Sequence, residues 1–176
     1  MVICMRLVEE IELYEVHRVE PSDWKRIKED ILRIENSAFE TNIRQDEEDL
    51  RETFAYKKSI CLVAIDKNNK KVVAYTMGAP LEWYTFLENF DEHYGNYDTF
   101  YIESISVLPE YQGRRIGKML KRILIDEVRK EGYERITVHA TNDVIKKINE
   151  QFGFRCIIYF KRWIGRRDAW YMEKLL

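Results

Sequence analysis

The residues with the clearest chemical potential lie in the turn 110–115, which reads EYQGRR. An apolar stretch that ends at Pro109 precedes this turn, and apolar residues at three-to-four spacing follow it over 116–128, so the order is strand, turn, helix. The first N–H groups of a helix have no intrahelical partner, and the helix dipole makes that end positive. Three cations stand in or beside the turn: Arg114, Arg115 and Lys118. The segment therefore favours the binding of an anion such as a phosphate.

Two common phosphate-binding loops do not fit this turn. A nucleoside-triphosphate loop reads GxxxxGK followed by Ser or Thr, whereas Gly113 and Gly117 are one residue too close together and Met119 takes the place of the hydroxyl. A dinucleotide-binding turn needs three glycines in GxGxxG spacing, and the third is absent. From spacing alone, the turn is either another kind of anion-binding loop or a surface connection with solvated arginines.

The turn resembles the acyl-CoA pyrophosphate loop of the GCN5-related N-acetyltransferase (GNAT) family, whose pattern is Gln/Arg-x-x-Gly-x-Gly/Ala. Gln112, Ile116 and Gly117 fit this pattern, and the preceding residues 107–111, VLPEY, are similar to the family's usual approach to the loop. Arg115 departs from the pattern, because the family usually has its first glycine there. If this position needs a positive φ, the arginine costs on the order of 1 kcal/mol.

The resemblance extends over most of the chain. Asn142 followed by an amphipathic turn and Phe152-Gly153-Phe154 resembles a second family element, although Asn149 stands where relatives often have a tyrosine. Residues 168–174 resemble the family's final strand. The implied fold class is α/β (α+β), the GNAT fold: a mixed, twisted central sheet of about six to seven strands, about four helices on both faces, and a splayed central pair of parallel strands. We expect a single domain over residues 1–176.

Periodicity predicts the elements that must position these residues. Alternation predicts a strand over 11–19, and Pro21-Ser22-Asp23 predicts the start of a helix that ends near Phe39. An acidic run, Asp46 to Asp49, is typical of the solvated start of a second helix. A hairpin spans 60–77, the central strand ends before Pro109, and strands are predicted over 135–140, 155–160 and 169–175. A short helix over 142–152 is expected to turn three apolar residues inward: Val144, Ile145 and Ile148.

The resemblance implies that acetyl-CoA is the cosubstrate. Its pantetheine arm would pair with the backbone of the central strand, and its pyrophosphate would lie over the turn, where N–H groups supply the binding energy. Asn142 either contacts the pantetheine or caps the next helix, or does both. The expected cofactor-binding residues are Ile105, Ser106, Val107, Gln112, Gly113, Arg114, Arg115, Ile116, Gly117, Lys118 and Asn142.

Acetyl transfer to an amine needs a deprotonated nucleophile and a donor for the developing oxyanion. Glu103 is the expected general base: on a strand it shares a face with Tyr101, Ile105 and Val107, and a Glu matches this position in the polyamine-acetylating branch of the family. The alternative is an ordinary surface carboxylate. Asn149 cannot protonate the departing sulfur as the family's tyrosine is thought to do, but it can donate an N–H bond there.

A long insert over 82–98 combines aromatic residues with five carboxylates and contains no Lys or Arg. Such a surface favours a cationic acceptor by charge attraction and cation–π contact, unless it is a solvated lid. We expect the acceptor to be a small-molecule or peptide amine: a polyamine, a lysine side chain or a peptide N-terminus. The expected acceptor-binding residues are Glu82, Trp83, Tyr84 and Tyr101.

Composition limits the other possibilities. The net charge of −2 gives no bulk attraction to nucleic acid or membrane, the three cysteines are far apart, and no apolar run reaches transmembrane length. We therefore expect a cytoplasmic enzyme without metal, nucleic acid or membrane partner, and a homodimer is compatible with the sequence. Two alternatives stay open: a non-catalytic CoA-binding regulatory module of the same fold, and nucleic-acid binding through the basic clusters over 118–122 and 161–167.

Overall fold

The structure is a computed structural model that describes residues 5–41, 43–84, 98–162 and 168–176. These residues form eight strands and four α-helices. In chain order the elements are β1 (Arg6–Ile11), β2 (Tyr14–Arg18), α1 (Trp24–Ala38), α2 (Glu47–Ala55), β3 (Ile60–Asp66), β4 (Val72–Pro80), β5 (Thr99–Val107), α3 (Ile116–Lys130), β6 (Arg135–Ala140), α4 (Asp143–Gln151), β7 (Arg155–Phe160) and β8 (Ala169–Leu175).

The strands belong to one mixed sheet in the order β1-β2-β3-β4-β5-β6-β8-β7. β5 and β6 are parallel, as predicted for the central pair, whereas the neighbours β1–β2, β2–β3, β3–β4, β6–β8 and β7–β8 are antiparallel. The β5–β6 register runs from Thr99↔Arg135 to Ile102↔Val138. β5 continues beyond Ile102 to Val107, and residues 103–107 lie outside its register with β6.

The chain divides into two compact units, Met1–Gly78 with Ser104–Leu124 and Ala79–Glu103 with Ile125–Leu176. The first unit has the predicted helical stripe as its core: Trp24, Ile27, Ile31 and Ile34 of α1 are buried. The ring of Phe54 from α2 lies 5.2 Å from that of Trp24. This core also buries a carboxylate, since Glu35 is only 1% exposed and accepts hydrogen bonds from the Tyr75 hydroxyl and from the Gln45 N–H.

The second unit contains β6, β7, β8 and α4, whose predicted bounds agree closely with the observed ones. Its core includes Phe100, Ile136 and Tyr171, all fully buried. A buried carboxylate occurs here too: Glu173 is 3% exposed and accepts from the Arg155 Nε at 2.9 Å. No helix of the described residues is long and apolar enough to cross a membrane.

Two predictions about elements were wrong. The single strand expected over 11–19 is the second half of a hairpin: β1 ends at Ile11, a turn follows, and β2 begins at Tyr14. The inward face of α4 was also misassigned at two of its three residues, because Val144 is 67% exposed and Ile145 is 39% exposed, whereas Ile148 is half-buried and Asn149 is fully buried. Apolar spacing alone does not show that a nine-residue helix buries a polar side chain.

Candidate active site

The turn after β5 has a backbone suited to an anion. A 3₁₀ turn, Pro109–Tyr111, leads into it, and Gly113 and Arg115 both have positive φ, 77° and 64°. The first helical bond of α3 runs from Met119 N–H to the Arg115 carbonyl at 3.0 Å, so the N–H groups over 116–118 belong to the open first turn. Left-handed residues that alternate with ordinary ones make concave arrays of N–H groups, the backbone feature that binds phosphates.

Arg115 therefore adopts the conformation in which a side chain is costly. The sequence left its φ undetermined, and the structure places it in the left-handed region that favours glycine. The arginine thus departs from the family pattern in residue type but keeps the backbone shape that a glycine would provide. The side chains of Arg114, Arg115 and Lys118 are all exposed.

Side chains from the first unit hold this loop in place. The Gln112 amide donates to the Val107 carbonyl at 3.1 Å. The Tyr111 hydroxyl donates to Asp66 Oδ2 at 3.0 Å and accepts from Asn69 Nδ2 at 2.9 Å, which ties the loop to the β3–β4 turn. Sequence reasoning missed this role for Tyr111. The Arg114 guanidinium lies over the Tyr111 ring, 4.8 Å from the ring centroid.

Gly117 lies where the start of α3 packs against β5. A Cβ built on Gly117 would lie 3.6 Å from Val107 Cγ2 and 3.9 Å from Ile105 Cγ2. A methyl group fits at these distances, which are ordinary van der Waals contacts. This agrees with the Gly/Ala alternative that the family pattern allows.

The side chains of β5 alternate, and this decides which can contribute to a site. Ser104 and Ser106 are buried, with their hydroxyls 3.4 Å apart, so Ser106 can offer only its backbone to a ligand. Glu103, Ile105 and Val107 occupy the other face and are partly exposed. The predicted base and the predicted pantetheine-binding stretch therefore share one face of one strand.

Glu103 has a defined partner within its own unit, the second one. The Tyr84 hydroxyl donates to Glu103 Oε2 at 2.9 Å, and the Tyr84 ring packs edge-on against Tyr101, with centroids 4.9 Å apart. The Tyr101 hydroxyl lies 3.0 Å from His139 Nδ1. Three predicted site residues, Glu103, Tyr84 and Tyr101, are thus in contact, together with a histidine that sequence reasoning did not select.

Burial sets the protonation of this cluster. It raises the pKa of Tyr101 well above that of an ordinary phenol, an effect that the Glu103 charge reinforces. It lowers the pKa of His139 to about 3, so the imidazole is neutral at neutral pH. Tyr101 is therefore the donor and His139 Nδ1 the acceptor.

The two asparagines of the predicted site have structural partners. Asn142 caps α4, since its Oδ1 accepts from the Ile145 N–H at 2.9 Å, which confirms the helix-cap interpretation. Asn149 is fully buried, and its Nδ2 lies 3.5 Å from Met172 Sδ. Contact of either residue with CoA remains a prediction, and for Asn149 it would require this buried amide to change partners.

The expected acceptor residues differ in accessibility. Glu82 is exposed, Trp83 is half-buried, and both Tyr84 and Tyr101 are 5% exposed. Most of the insert over 82–98, including residues 85–97, lies outside the described residues. The role predicted for its carboxylates is untested.

Comparison with known proteins agrees with the predicted fold. The profile of the acetyltransferase (GNAT) family matches residues 28–154. Among solved structures, the ribosomal-protein-S18-alanine N-acetyltransferase of Escherichia coli matches at TM-score 0.72 and 20% identity, covering 93% of this chain and 94% of that one. The mosquito arylalkylamine N-acetyltransferase like 5b matches at TM-score 0.73 and 16% identity, covering 93% and 100%.

A third similar structure is a GNAT superfamily phosphinothricin acetyltransferase from Sinorhizobium meliloti in complex with AcCoA, at TM-score 0.71 and 17% identity, covering 94% of this chain and 89% of that one. No curated protein sequence matched this chain. The mixed sheet with a parallel β5–β6 pair is the fold of these similar structures. The chain belongs to the GNAT acetyltransferase family, in which acyl transfer depends on acetyl-CoA.

Proposed function

We propose that this protein transfers the acetyl group of acetyl-CoA to the nitrogen of a primary amine. The observation that carries the proposal is the loop over 112–117, in which left-handed Gly113 and Arg115 precede the open first turn of α3. This donor set fits the pyrophosphate of a CoA ester in charge and in backbone shape. Membership of the GNAT family supports the same ligand.

The residues that would hold acetyl-CoA divide by chemistry. Loop N–H groups and the cations Arg114, Arg115 and Lys118 would bind the pyrophosphate, while the backbone over 105–107 would pair with the pantetheine arm. When bound, acetyl-CoA supplies an activated acyl carbon with a thiolate leaving group. The backbone N–H near Val107 is the proposed donor to the oxyanion that develops during transfer.

Glu103 is the proposed general base. An amine with a pKa near 10 is protonated at neutral pH, so it must lose a proton before its nitrogen can attack. Glu103 would accept that proton first. The neutral nitrogen would then attack the acyl carbon, so that the C–N bond forms, the C–S bond breaks and the second proton of the nitrogen leaves with the thiolate. Its place on the partly exposed face of β5, four residues before Val107, supports this role.

The acceptor is proposed to be a cationic amine. The carboxylates and aromatic residues of the 82–98 insert favour a positive charge, and polyamines, lysine side chains and peptide N-termini all carry one. Two similar structures are named for a ribosomal-protein alanine and for arylalkylamines, both amine acceptors. If anionic or neutral amines prove the best substrates, this electrostatic argument fails.

Ligand binding and turnover test the proposal together. Acetyl-CoA at 100 times its Kd should stabilise the fold by about 2.7 kcal/mol in a thermal-unfolding assay.

Glu103→Gln should lower kcat by about 10²–10⁴-fold at neutral pH, with acetyl-CoA affinity nearly unchanged. Glu150→Gln is the control, because Glu150 is exposed and pairs only loosely with Lys146, at 3.7 Å. No stabilisation by any CoA ester contradicts the whole proposal, and a loss below threefold in Glu103→Gln contradicts the base.

A second candidate is a CoA-binding regulatory module without turnover. The burial of Asn149 favours it, since this residue replaces the proton donor of relatives and already contacts Met172. CoA binding without transfer to any amine of a broad panel would support this alternative over the enzyme.

A further inference from the structure

We propose that Tyr84 is a positioning residue for Glu103: its hydroxyl fixes the carboxylate that receives the amine proton, and the Tyr101–His139 pair fixes Tyr84. This inference rests on the proposed function for the role of Glu103 as base. It assigns Tyr84 a task beyond the acceptor contact expected from the sequence, and it adds His139 to the site.

The bond between Tyr84 and Glu103 has the geometry of a positioning contact. The distance from Tyr84 Oη to Glu103 Oε2 is 2.9 Å, within the normal range for an O–H donor. Tyr84 is 5% exposed, so burial of its ring restricts where the hydroxyl can point. Glu103 is half-buried, and a flexible side chain there would otherwise sample several rotamers.

The Tyr84 ring is in turn held by Tyr101. The two rings meet edge-on at 68°, with centroids 4.9 Å apart, an arrangement that aromatic pairs favour. Tyr101 is anchored at its other end, because its hydroxyl lies 3.0 Å from His139 Nδ1. The ring of His139 in turn packs against the ring of Tyr171, with centroids 4.8 Å apart.

The histidine of this support is uncharged at neutral pH. The titratable groups seen in contact with Glu103, Tyr84 or Tyr101 include the phenol of Tyr171, at one remove, and the imidazole of His139. Because burial keeps His139 uncharged, Nδ1 accepts from Tyr101 without placing a cation in the cluster. The base is thus oriented by hydrogen bonding and not by an ion pair with these groups.

A hydrogen bond to a carboxylate stabilises its charged form. Loss of the Tyr84 donor should therefore do two things that loss of packing alone would not do. It should raise the pKa of Glu103, and it should lower the fraction of Glu103 rotamers that can reach the amine. Both effects appear in kcat, while acetyl-CoA binding should be unaffected.

The first test is the pH dependence of kcat/KM in Tyr84→Phe, which removes the hydroxyl and keeps the ring. We expect the midpoint of the acidic limb to move to higher pH and kcat at neutral pH to fall about three- to tenfold, the effect of one hydrogen bond. The KM for acetyl-CoA should stay within about twofold.

In the Glu103→Gln background, Tyr84→Phe should have no further effect on kcat. Tyr159→Phe is the matched control, because exposed Tyr159 also donates to a carboxylate, that of Asp168.

The second test needs no substrate. In protein labelled with ¹³C at Glu side-chain carboxyls, the Glu103 resonance, assigned by its absence in Glu103→Gln, should titrate at higher pH in Tyr84→Phe than in wild type. In wild type, the Tyr84 ring Cζ resonance should follow the same titration, and this step should be missing in Glu103→Gln. The titration of the Tyr84 Cζ resonance tests the contact with Glu103 even if Tyr84→Phe fails to fold.

The outcomes separate this inference from the proposed function. An unchanged Glu103 titration in Tyr84→Phe, or a Tyr84 resonance that ignores Glu103, overturns the inference whatever the activity. A shifted titration with a shifted acidic limb supports it. Wild-type protein that transfers acetyl to no amine overturns the proposed function and the role of Glu103 as base, and the titrations then report only on the contact.

Discussion

Arg115 shows how one residue can keep a backbone shape at the expense of stability. Its φ of 64° lies in the region where an L side chain costs about 1–2 kcal/mol relative to glycine. The exposed guanidinium adds positive charge at the proposed pyrophosphate site. Compared with glycine, the arginine therefore lowers stability but increases the attraction of an anionic ligand.

We therefore predict that Arg115→Gly raises the free energy of unfolding by about 0.5–1 kcal/mol, since part of the relief is offset by the flexibility of glycine in the unfolded chain. CoA affinity should fall by less than about tenfold, because one exposed charge is worth about 1 kcal/mol. Urea unfolding and calorimetric CoA titration measure the two effects. Arg114→Gly is the control: Arg114 is outside the set of positive-φ residues, so its replacement should not stabilise the fold.

Asn149 is a second residue whose type departs from the family pattern, and it is fully buried. A thiol has a pKa of about 8.5, so its thiolate leaves fairly readily near neutral pH without a proton donor. We predict that Asn149→Ala lowers turnover by less than about tenfold, well under the Glu103→Gln loss, because one neutral hydrogen bond is worth about 1 kcal/mol. Steady-state kinetics on both variants provide the comparison.

The buried position of Asn149 affects the reverse experiment. Asn149→Tyr must insert a ring where the asparagine is fully buried, so we expect a stability loss of about 1–3 kcal/mol and only a modest change in turnover. A gain of a hundredfold or more in turnover would show that sulfur protonation limits this protein, and would favour the regulatory-module alternative for the natural chain.

At the level of elements, the β3–β4 turn supports the loop that precedes α3. Tyr111 joins them through Asp66 and Asn69, which are about forty residues away in the sequence. Loops that bind ligands gain affinity when they are ordered beforehand, because less conformational entropy is lost on binding.

Tyr111→Phe should therefore raise the Kd for acetyl-CoA about three- to tenfold through loss of this order. The kcat at saturating acetyl-CoA should change little, since Tyr111 touches neither Glu103 nor its supporting rings in the contacts described. Calorimetric titration gives the Kd, and Tyr159→Phe again serves as the control. An unchanged Kd would mean that the loop is ordered without the Tyr111 contacts.

At the scale of the whole molecule, stability should depend on pH through a buried lysine. Lys121 of α3 is 4% exposed, and burial lowers its pKa from 10.5 to about 8. Between those values the unfolded chain binds more protons than the folded one, so stability rises with pH from about 8 to 10.5. Below about pH 8 the folded state carries the full cost, at most about 3 kcal/mol.

Lys121→Met keeps most of the side-chain volume and removes the charge. We predict that it raises the free energy of unfolding at pH 7 by about 1–3 kcal/mol. It should also reduce the increase in stability that wild type shows above pH 8. Denaturant unfolding at several pH values gives both quantities. Lys147→Met, at an exposed helical position, should change stability little and leave the rise in place. A destabilised Lys121→Met would show that partners of Lys121 outweigh its desolvation.

The sequence by itself determined the local features of this protein. The spacing of apolar residues placed α1, α3, β6 and β8 close to their observed bounds, because helix and strand periods follow from backbone hydrogen bonding within a few residues. The loop over 112–117 was also readable, since a strand, a glycine turn, cations and a helix start are consecutive in the chain. Together these features were enough to indicate the family.

Only the tertiary structure decided the features that depend on distant partners or on a single torsion. The φ of Arg115 is not fixed by residue type, and the buried face of α4 followed packing around Asn149 and not its apolar residues. The contact of Tyr101 with His139 requires the β5–β6 register, and the bond from Tyr84 to Glu103 spans nineteen residues. Such contacts arise when strands come together in one register, and no local pattern in the sequence encodes which side chains then meet.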